Sequence, residues 1–204
     1  MGNAKSKNKK EDICLAYTNG DKFQGEIKNG IRDGFGTYYY HNGDKYEGMW
    51  LKGKKHGMGT LYYKEGNLFV GHWKNSEKEG IGTLYTKSGE KFYGEFKSGR
   101  RNGKGILTSP DNNRYIGYFK DSRKNGVGIM HYNKGKIALE EWNSGILISS
   151  KIQSEEELNK LNEEIYKGEK QENKGSFAEL SHNNEKEKES KLLFYLFISI
   201  NKKY

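Results

Sequence analysis

A period of 23 residues constrains this chain more than any other feature, since Phe23, Tyr46, Phe69, Phe92 and Tyr115 recur at that interval without an insertion. Glycine keeps the same step. Gly25, Gly48, Gly71, Gly94 and Gly117 each follow two residues after the aromatic, and Gly-x-Gly pairs begin at Gly34, Gly57, Gly80, Gly103 and Gly126. A bulky apolar residue comes next, at Ile27, Trp50, Trp73, Phe96 and Phe119, and the units close at Gly43, Gly66, Gly89, Asn112 and Gly135. Self-similarity at a fixed step of this length marks an array whose units cannot bury their apolar faces alone and do so against their neighbours.

Within a unit the side-chain period is that of a strand. Tyr46, Gly48 and Trp50 share one face; Gly57, Gly59, Leu61 and Tyr63 share a face of the next strand, with Met58, Thr60 and Tyr62 on the other. A polar turn over Leu51 to His56 joins the two strands, and Lys64-Glu65-Gly66 supplies a hairpin-type turn after them. Each unit therefore reads as a β-hairpin. Glycine beside every aromatic leaves room for the ring of a neighbouring unit against the backbone, which explains glycine in strands that otherwise disfavour it. Apolar content of 32%, much of it within the 13% of aromatic residues, is too thin for a two-layer core and favours a single sheet. The array is expected over residues 13–150, with five full units at 23–137 and partial units flanking them; Glu140 replaces the expected glycine, so the sixth unit is degenerate.

The pattern Tyr-x-Gly-x-Trp, a basic turn and Gly-x-Gly-Thr, as in FVGHWKNSEKEGIGTLY from Phe69 to Tyr85, resembles the MORN (membrane occupation and recognition nexus) repeat. The resemblance implies an all-β fold, an elongated, twisted antiparallel sheet of successive hairpins. It also implies a scaffold or interaction module in the cytoplasm without catalysis of its own. The chain departs from the pattern at Glu140 and in the acidic turn Glu77-Lys78-Glu79.

Residues 1–12 form a basic arm, expected to be disordered. Met1-Gly2-Asn3-Ala4-Lys5-Ser6 fits the M-G-x-x-x-[ST] signal for N-myristoylation of Gly2. A single myristoyl chain binds membranes marginally, and Lys5, Lys7, Lys9 and Lys10 add the second, electrostatic attraction to an anionic leaflet. Cys14 is a further acylation candidate, since by register it points away from the aromatic stripe; a plain small strand residue is the competing reading.

The basic inter-strand turns recur in register, and Lys54, Lys55, Arg100, Arg101, Arg123 and Lys124 are expected along one edge as a contact for anionic headgroups. An acidic partner fits that edge too, as does simple lysine protection against edge-to-edge aggregation. The aromatic face, with Tyr46, Trp50, Phe69, Trp73, Phe92, Phe96, Tyr115 and Phe119, is expected to present a groove to a protein partner.

Other chemistry is excluded by spacing. The Gly-x-Gly pairs never extend to a phosphate-binding loop, and His41, His56, His72, His131 and His182 fall at scattered positions without metal-ligand spacing, so neither a cofactor nor a metal is expected. With one cysteine there is no disulfide framework. The net charge of +9 raises the question of nucleic acid, but the aromatics sit at interior positions of the repeat and need no base to stack on.

After the array, Ser154-Glu155-Glu156-Glu157 forms a capping box ahead of an amphipathic helix within 151–168, carried by Leu158, Leu161 and Ile165. Residues 169–204 read as a disordered tail. No stretch is apolar for long enough to span a bilayer. The expected function is a non-enzymatic, membrane-tethered scaffold on the cytoplasmic face of a membrane. A phosphoinositide-binding accessory to a lipid-signalling enzyme and a soluble cytoskeletal or ciliary adaptor are the alternatives.

Overall fold

The computed structural model describes residues 11–154 and Glu157. Their regular structure is thirteen strands: β1 (Glu11–Ala16), β2 (Lys22–Lys28), β3 (Ile31–Tyr39), β4 (Lys45–Leu51), β5 (Lys54–Tyr62), β6 (Leu68–Lys74), β7 (Glu77–Tyr85), β8 (Lys91–Lys97), β9 (Arg100–Thr108), β10 (Arg114–Lys120), β11 (Arg123–His131), β12 (Ile137–Asn143) and β13 (Ile146–Gln153). The chain divides into two compact units between Gly103 and Lys104, within β9. In the first, β1 to β8 pair antiparallel in chain order. In the second, β10 to β13 do the same. The fold is all-β and its repeating element is the hairpin.

Two kinds of connection alternate. The first is a two-residue turn, as at Lys52-Gly53, where both residues have positive φ (48° and 80°). That is the type I′ geometry whose twist matches the flanking strands. Sequence reasoning placed a six-residue turn from Leu51 to His56; the strands instead run inward until only Lys52 and Gly53 remain, because the I′ turn lets the basic flanking residues join the ladder. The second connection is five residues long, as from Tyr40 to Asp44, and closes on hydrogen bonds from Tyr40 N to Asp44 O (3.0 Å) and from Gly43 N to Tyr40 O (2.9 Å). Gly43 sits at φ 94°, and Asn112, the one closing residue that is not glycine, adopts φ 63° at the same place in its unit. Asparagine tolerates the left-handed region better than most side chains, so it substitutes there.

Both edges are stapled to the next hairpin. At the five-residue side, Asp21, Asp44, Asn67 and Asn113 accept hydrogen bonds from the backbone N–H groups of His41 (2.7 Å), Lys64 (2.8 Å), Lys87 (2.8 Å) and Asn133 (2.9 Å). At the two-residue side, Asp33, Glu79 and Asn125 accept from Lys52 N (3.2 Å), Ser98 N (3.1 Å) and Ser144 N (3.3 Å). Asp21 is the buried member, and the hydroxyl of Tyr38 (2.7 Å) followed by the His41 backbone holds its carboxyl far below the usual range.

Between the edges, glycines face one another across the strands: Gly25↔Gly36↔Gly48↔Gly59↔Gly71↔Gly82↔Gly94 in the first unit. The leading aromatics Phe23, Tyr46 and Phe69 lie over this track. A Cβ at Gly82 would sit 2.6 Å from Cε2 and Cζ of Phe69, and one at Gly59 would collide with the hydroxyl oxygen of Tyr46 and lie 2.6 Å from its Cζ. The ring occupying the space is thus the unit's own, not its neighbour's as the sequence reading had it. In the second unit Gly117 faces Gly128, which faces Glu140. Glu140 is 2% exposed and accepts from the Trp142 indole (3.0 Å) and the Tyr132 hydroxyl (3.2 Å).

Past the array, β13 extends to Gln153, so Lys151 to Gln153 are strand where a helical segment from 151 was expected. The capping box is formed: Glu157 N donates to Ser154 Oγ (3.1 Å) and Ser154 N to Glu157 Oε2 (2.9 Å). Glu157 is helical; the rest of the expected helix and the tail lie outside the described residues.

Gly82→Ala is expected to destabilise by about 1–3 kcal/mol through overpacking against Phe69, and Trp73→Ala by about 3–5 kcal/mol. His72, exposed between Gly71 and Trp73, should tolerate Ala within about 0.5 kcal/mol. Chemical denaturation of the three variants checks this, and a His72→Ala loss exceeding that of Gly82→Ala would invert the assignment of the faces.

Candidate interaction surface

The aromatic face is built by rings meeting edge to face. In the first unit Phe23 meets Trp50 (5.6 Å between centroids), Trp50 meets Tyr46 (5.2 Å), and Tyr46 meets Trp73 of the following hairpin (5.3 Å). The series continues from Trp73 to Phe69 (5.3 Å), Phe69 to Phe96 (4.9 Å) and Phe96 to Phe92 (5.3 Å). In the second unit Tyr115 meets Phe119 (5.6 Å) and Trp142 (6.1 Å). The indoles of Trp50 and Trp73 donate to the carbonyls of Gly36 (3.1 Å) and Gly59 (3.0 Å), so no indole N–H is wasted by burial.

This packing corrects one expectation. Tyr46, Trp50, Phe69, Trp73, Phe92, Phe96, Tyr115 and Phe119 are all buried, at 5% exposure or less, and are core rather than the lining of an open groove. A sheet without a covering layer must hide its rings by laying them on the glycine track and on one another. What remains accessible above them is a row of cations.

That row has the same period as the repeat. Arg32 lies over Trp50 (4.4 Å to the centroid), Lys55 over Trp73 (4.4 Å), Lys78 over Phe69 (4.8 Å) and Arg101 over Phe92 (5.4 Å). In the second unit Lys124 lies over Trp142 (4.2 Å) and Tyr115 (4.3 Å). A row of tyrosines borders it: Tyr17 beside Arg32 (6.0 Å), Tyr40 beside Lys55 (5.7 Å) and Tyr63 beside Lys78 (5.3 Å).

The basic edge expected from sequence therefore splits in two. Lys55, Arg101 and Lys124 are half-buried on the aromatic face, joined by Arg32 and Lys78, while Lys54, Arg100 and Arg123, each one residue earlier, are exposed and point away from it. Strand alternation separates neighbours that a turn would have kept together. The tyrosine row escaped sequence reasoning, although its signal, Tyr17, Tyr40 and Tyr63 at the repeat interval, is in the sequence.

Electrostatically the face is loaded. Arg101 pairs with Glu90 (3.2 Å) and Arg32 donates to the Gly53 carbonyl (3.0 Å), but among the described residues no carboxylate lies within ion-pair distance of the Lys55 or Lys78 ammonium. Burial, reinforced by Lys78, lowers the Lys55 ammonium to about 8, against a smaller opposing pull from Asp44. Cys14 is a free, exposed thiol between half-buried Ile13 and Leu15. Gly2, Lys5, Lys7, Lys9 and Lys10 lie outside the described residues. Among those described, no group of three or more His, Cys, Asp or Glu is placed to hold a metal ion, and no helix is long and apolar enough to cross a membrane.

The MORN repeat model matches five consecutive segments, 23–45, 46–68, 69–91, 92–114 and 115–137, more than half of the chain. The chain belongs to the MORN repeat family. Repeats of this family form protein-binding or membrane-associated modules and are generally without catalysis. No curated protein matches the chain in sequence. Among solved structures it is similar to the SAS-4 (dCPAP) TCP domain of Drosophila melanogaster, solved in complex with a proline-rich motif of Ana2 (dSTIL). Identity is 17%, the match covers 76% of this chain and 95% of that one, and the TM-score is 0.38, too loose a likeness to carry an argument.

The Lys55 ammonium is expected to titrate near pH 8 in the folded protein. Because its folded value lies below that of the unfolded chain, the unfolded state binds more protons between about pH 8 and 10.4, and this lysine makes stability rise with pH across that window. Lys55→Met should flatten the rise, as read from denaturation midpoints at pH 7.5, 9 and 10; an unchanged slope would place the ammonium in water.

Proposed function

We propose that this protein is a non-enzymatic scaffold, N-myristoylated on Gly2 and held at the cytoplasmic face of a membrane, which presents its MORN array to a protein partner. The single observation that carries the partner-binding part is the row of cations above the aromatic core, with Lys55 and Lys78 left without a carboxylate among the described residues. A fold that needed those charges only for solubility would hold them in water, where an ammonium is best solvated, rather than against rings. The tethering part is supported by the acylation signal and the four lysines of the first ten residues. Cys14, exposed and free, is available as a second acylation site close to the arm.

A second reading draws on exposed Lys54, Arg100 and Arg123, which could meet phosphoinositide headgroups, making the array an accessory to a lipid-signalling enzyme. A soluble cytoskeletal or ciliary adaptor would need neither the acyl chain nor those headgroups.

Gly2→Ala is expected to move the protein from the membrane to the soluble fraction, with intact mass showing a myristoyl group on wild type alone, while the set of proteins cross-linked to the array persists. Wild-type protein lacking the acyl group would end the tethering claim; an array that cross-links to lipid and to no protein would favour the accessory reading.

A further inference from the structure

We infer that the aromatic face of the first unit binds an acidic peptide segment in the polyproline II conformation, its carboxylates meeting Lys55 and Lys78 and its prolines lying against Tyr40 and Tyr63. The inference rests on the reading of the array as a partner-binding surface and names the chemistry of that partner.

Charge complementarity comes first. Lys55 and Lys78 stand in register on β5 and β7, half-buried, with no carboxylate of the described residues neutralising them. Asp44, the acid that acts on Lys55 at longer range, is occupied by Lys64 N (2.8 Å) and the Asn42 amide (3.0 Å). Arg32 continues the row on β3. An occupant with carboxylates is therefore the chemistry this face lacks.

Spacing selects the conformation. The cations sit on alternate strands, so they are about 10 Å apart along the direction that crosses the sheet. A β-strand returns a side chain to the same side after two residues, about 7 Å, or four, about 13 Å, and misses that step. A polyproline II helix returns it after three residues, about 9 Å, and matches. The tyrosine row supplies the second half of such a site, because proline-rich helices dock against aromatic-lined surfaces. Tyr40 and Tyr63 repeat at the same interval as the lysines and lie within 5.7 Å and 5.3 Å of them, so one peptide turn can engage one tyrosine and one lysine.

A bilayer fits this face less well. The half-buried ammonium groups are held against rings, while the exposed Lys54 and Arg100 point away from the face and are the ones a headgroup plane would reach.

The test uses the full chain and a fluorescein-labelled peptide of five Glu-Pro-Pro units, with a peptide of the same composition whose glutamates are gathered at one end, read by fluorescence anisotropy at low and high salt. The expected result is at least tenfold tighter binding of the regular peptide, weakened by salt. The pair Lys55→Gln with Lys78→Gln should reduce it at least tenfold, and the exposed pair Lys54→Gln with Lys74→Gln less than twofold. Equal binding of the two peptides, or binding of neither, overturns the proposal on wild-type protein alone, whatever the variants do to folding. Equal losses from the two lysine pairs would reduce it to net charge. Phosphatidylserine vesicles that require Lys55 and Lys78 and displace the peptide would give the face to the membrane instead. Because peptide binding is read in solution, its failure alongside intact Gly2-dependent membrane retention and protein cross-links overturns this inference and leaves the scaffold reading standing.

Discussion

The fold depends on a ring lying on a pair of glycines. A single-layer sheet has nothing above it, so an aromatic standing upright would be half in water. Laid flat, it covers backbone and hides most of its own surface, but only where the residues beneath carry no Cβ. Tyr46 over Gly59 and Phe69 over Gly82 show the condition met. The following Trp or Phe then closes the far side of the ring edge to face, and it does so from the next hairpin, as Trp73 does for Tyr46. Burial within one unit is thereby a property of its neighbour, which is why units in such an array stand or fall together.

Much of this was legible in the sequence. Period, hairpin and face can all be read from Tyr46-x-Gly48-x-Trp50, because strand alternation is a geometric certainty once the strand is granted. Asn112 could be placed as the closing residue for the same reason that glycine holds that position elsewhere. What the sequence did not disclose were the distances across the sheet. Leu51 to His56 look like a polar loop, and only the I′ geometry of Lys52-Gly53 shows that the flanking residues are strand. That shortening from six residues to two decides where Lys54 and Lys55 point, and so divides the expected basic edge. The eight aromatics were assigned correctly to one face, yet a face with no covering layer reads as a groove until the rings are seen to cover each other. The Asp21, Asp44 and Asn67 staples were missed because short polar residues beside a turn have many local uses, and nothing local says that the partner is a backbone N–H some 20 residues on.

The cations over the rings join two roles that are usually apart. Their stems finish the burial of the aromatic core, and their heads hold charge in a place where water solvates it incompletely. In the first unit Arg101 is answered by Glu90, while Lys55 and Lys78 have no carboxylate partner among the described residues. In the second unit the pattern is disturbed by Glu140, which takes up the Trp142 indole that in earlier hairpins would bond a glycine carbonyl. The glycine track ends there, where Ala138 stands in place of the leading aromatic and Glu140 in place of the glycine it would cover.

The staples carry a consequence for how such a chain can change in length. Each ties a residue to one in the next hairpin at a fixed separation, 20 residues from Asp21 to His41 and 19 from Asp33 to Lys52. Adding or removing whole multiples of the 23-residue repeat leaves every staple, ring contact and glycine pair with a partner of the right kind, whereas any other length change breaks both edges and the core at once. The permitted lengths of the array are therefore quantised, and growth by duplication of whole repeats is the route along which the structure offers no resistance.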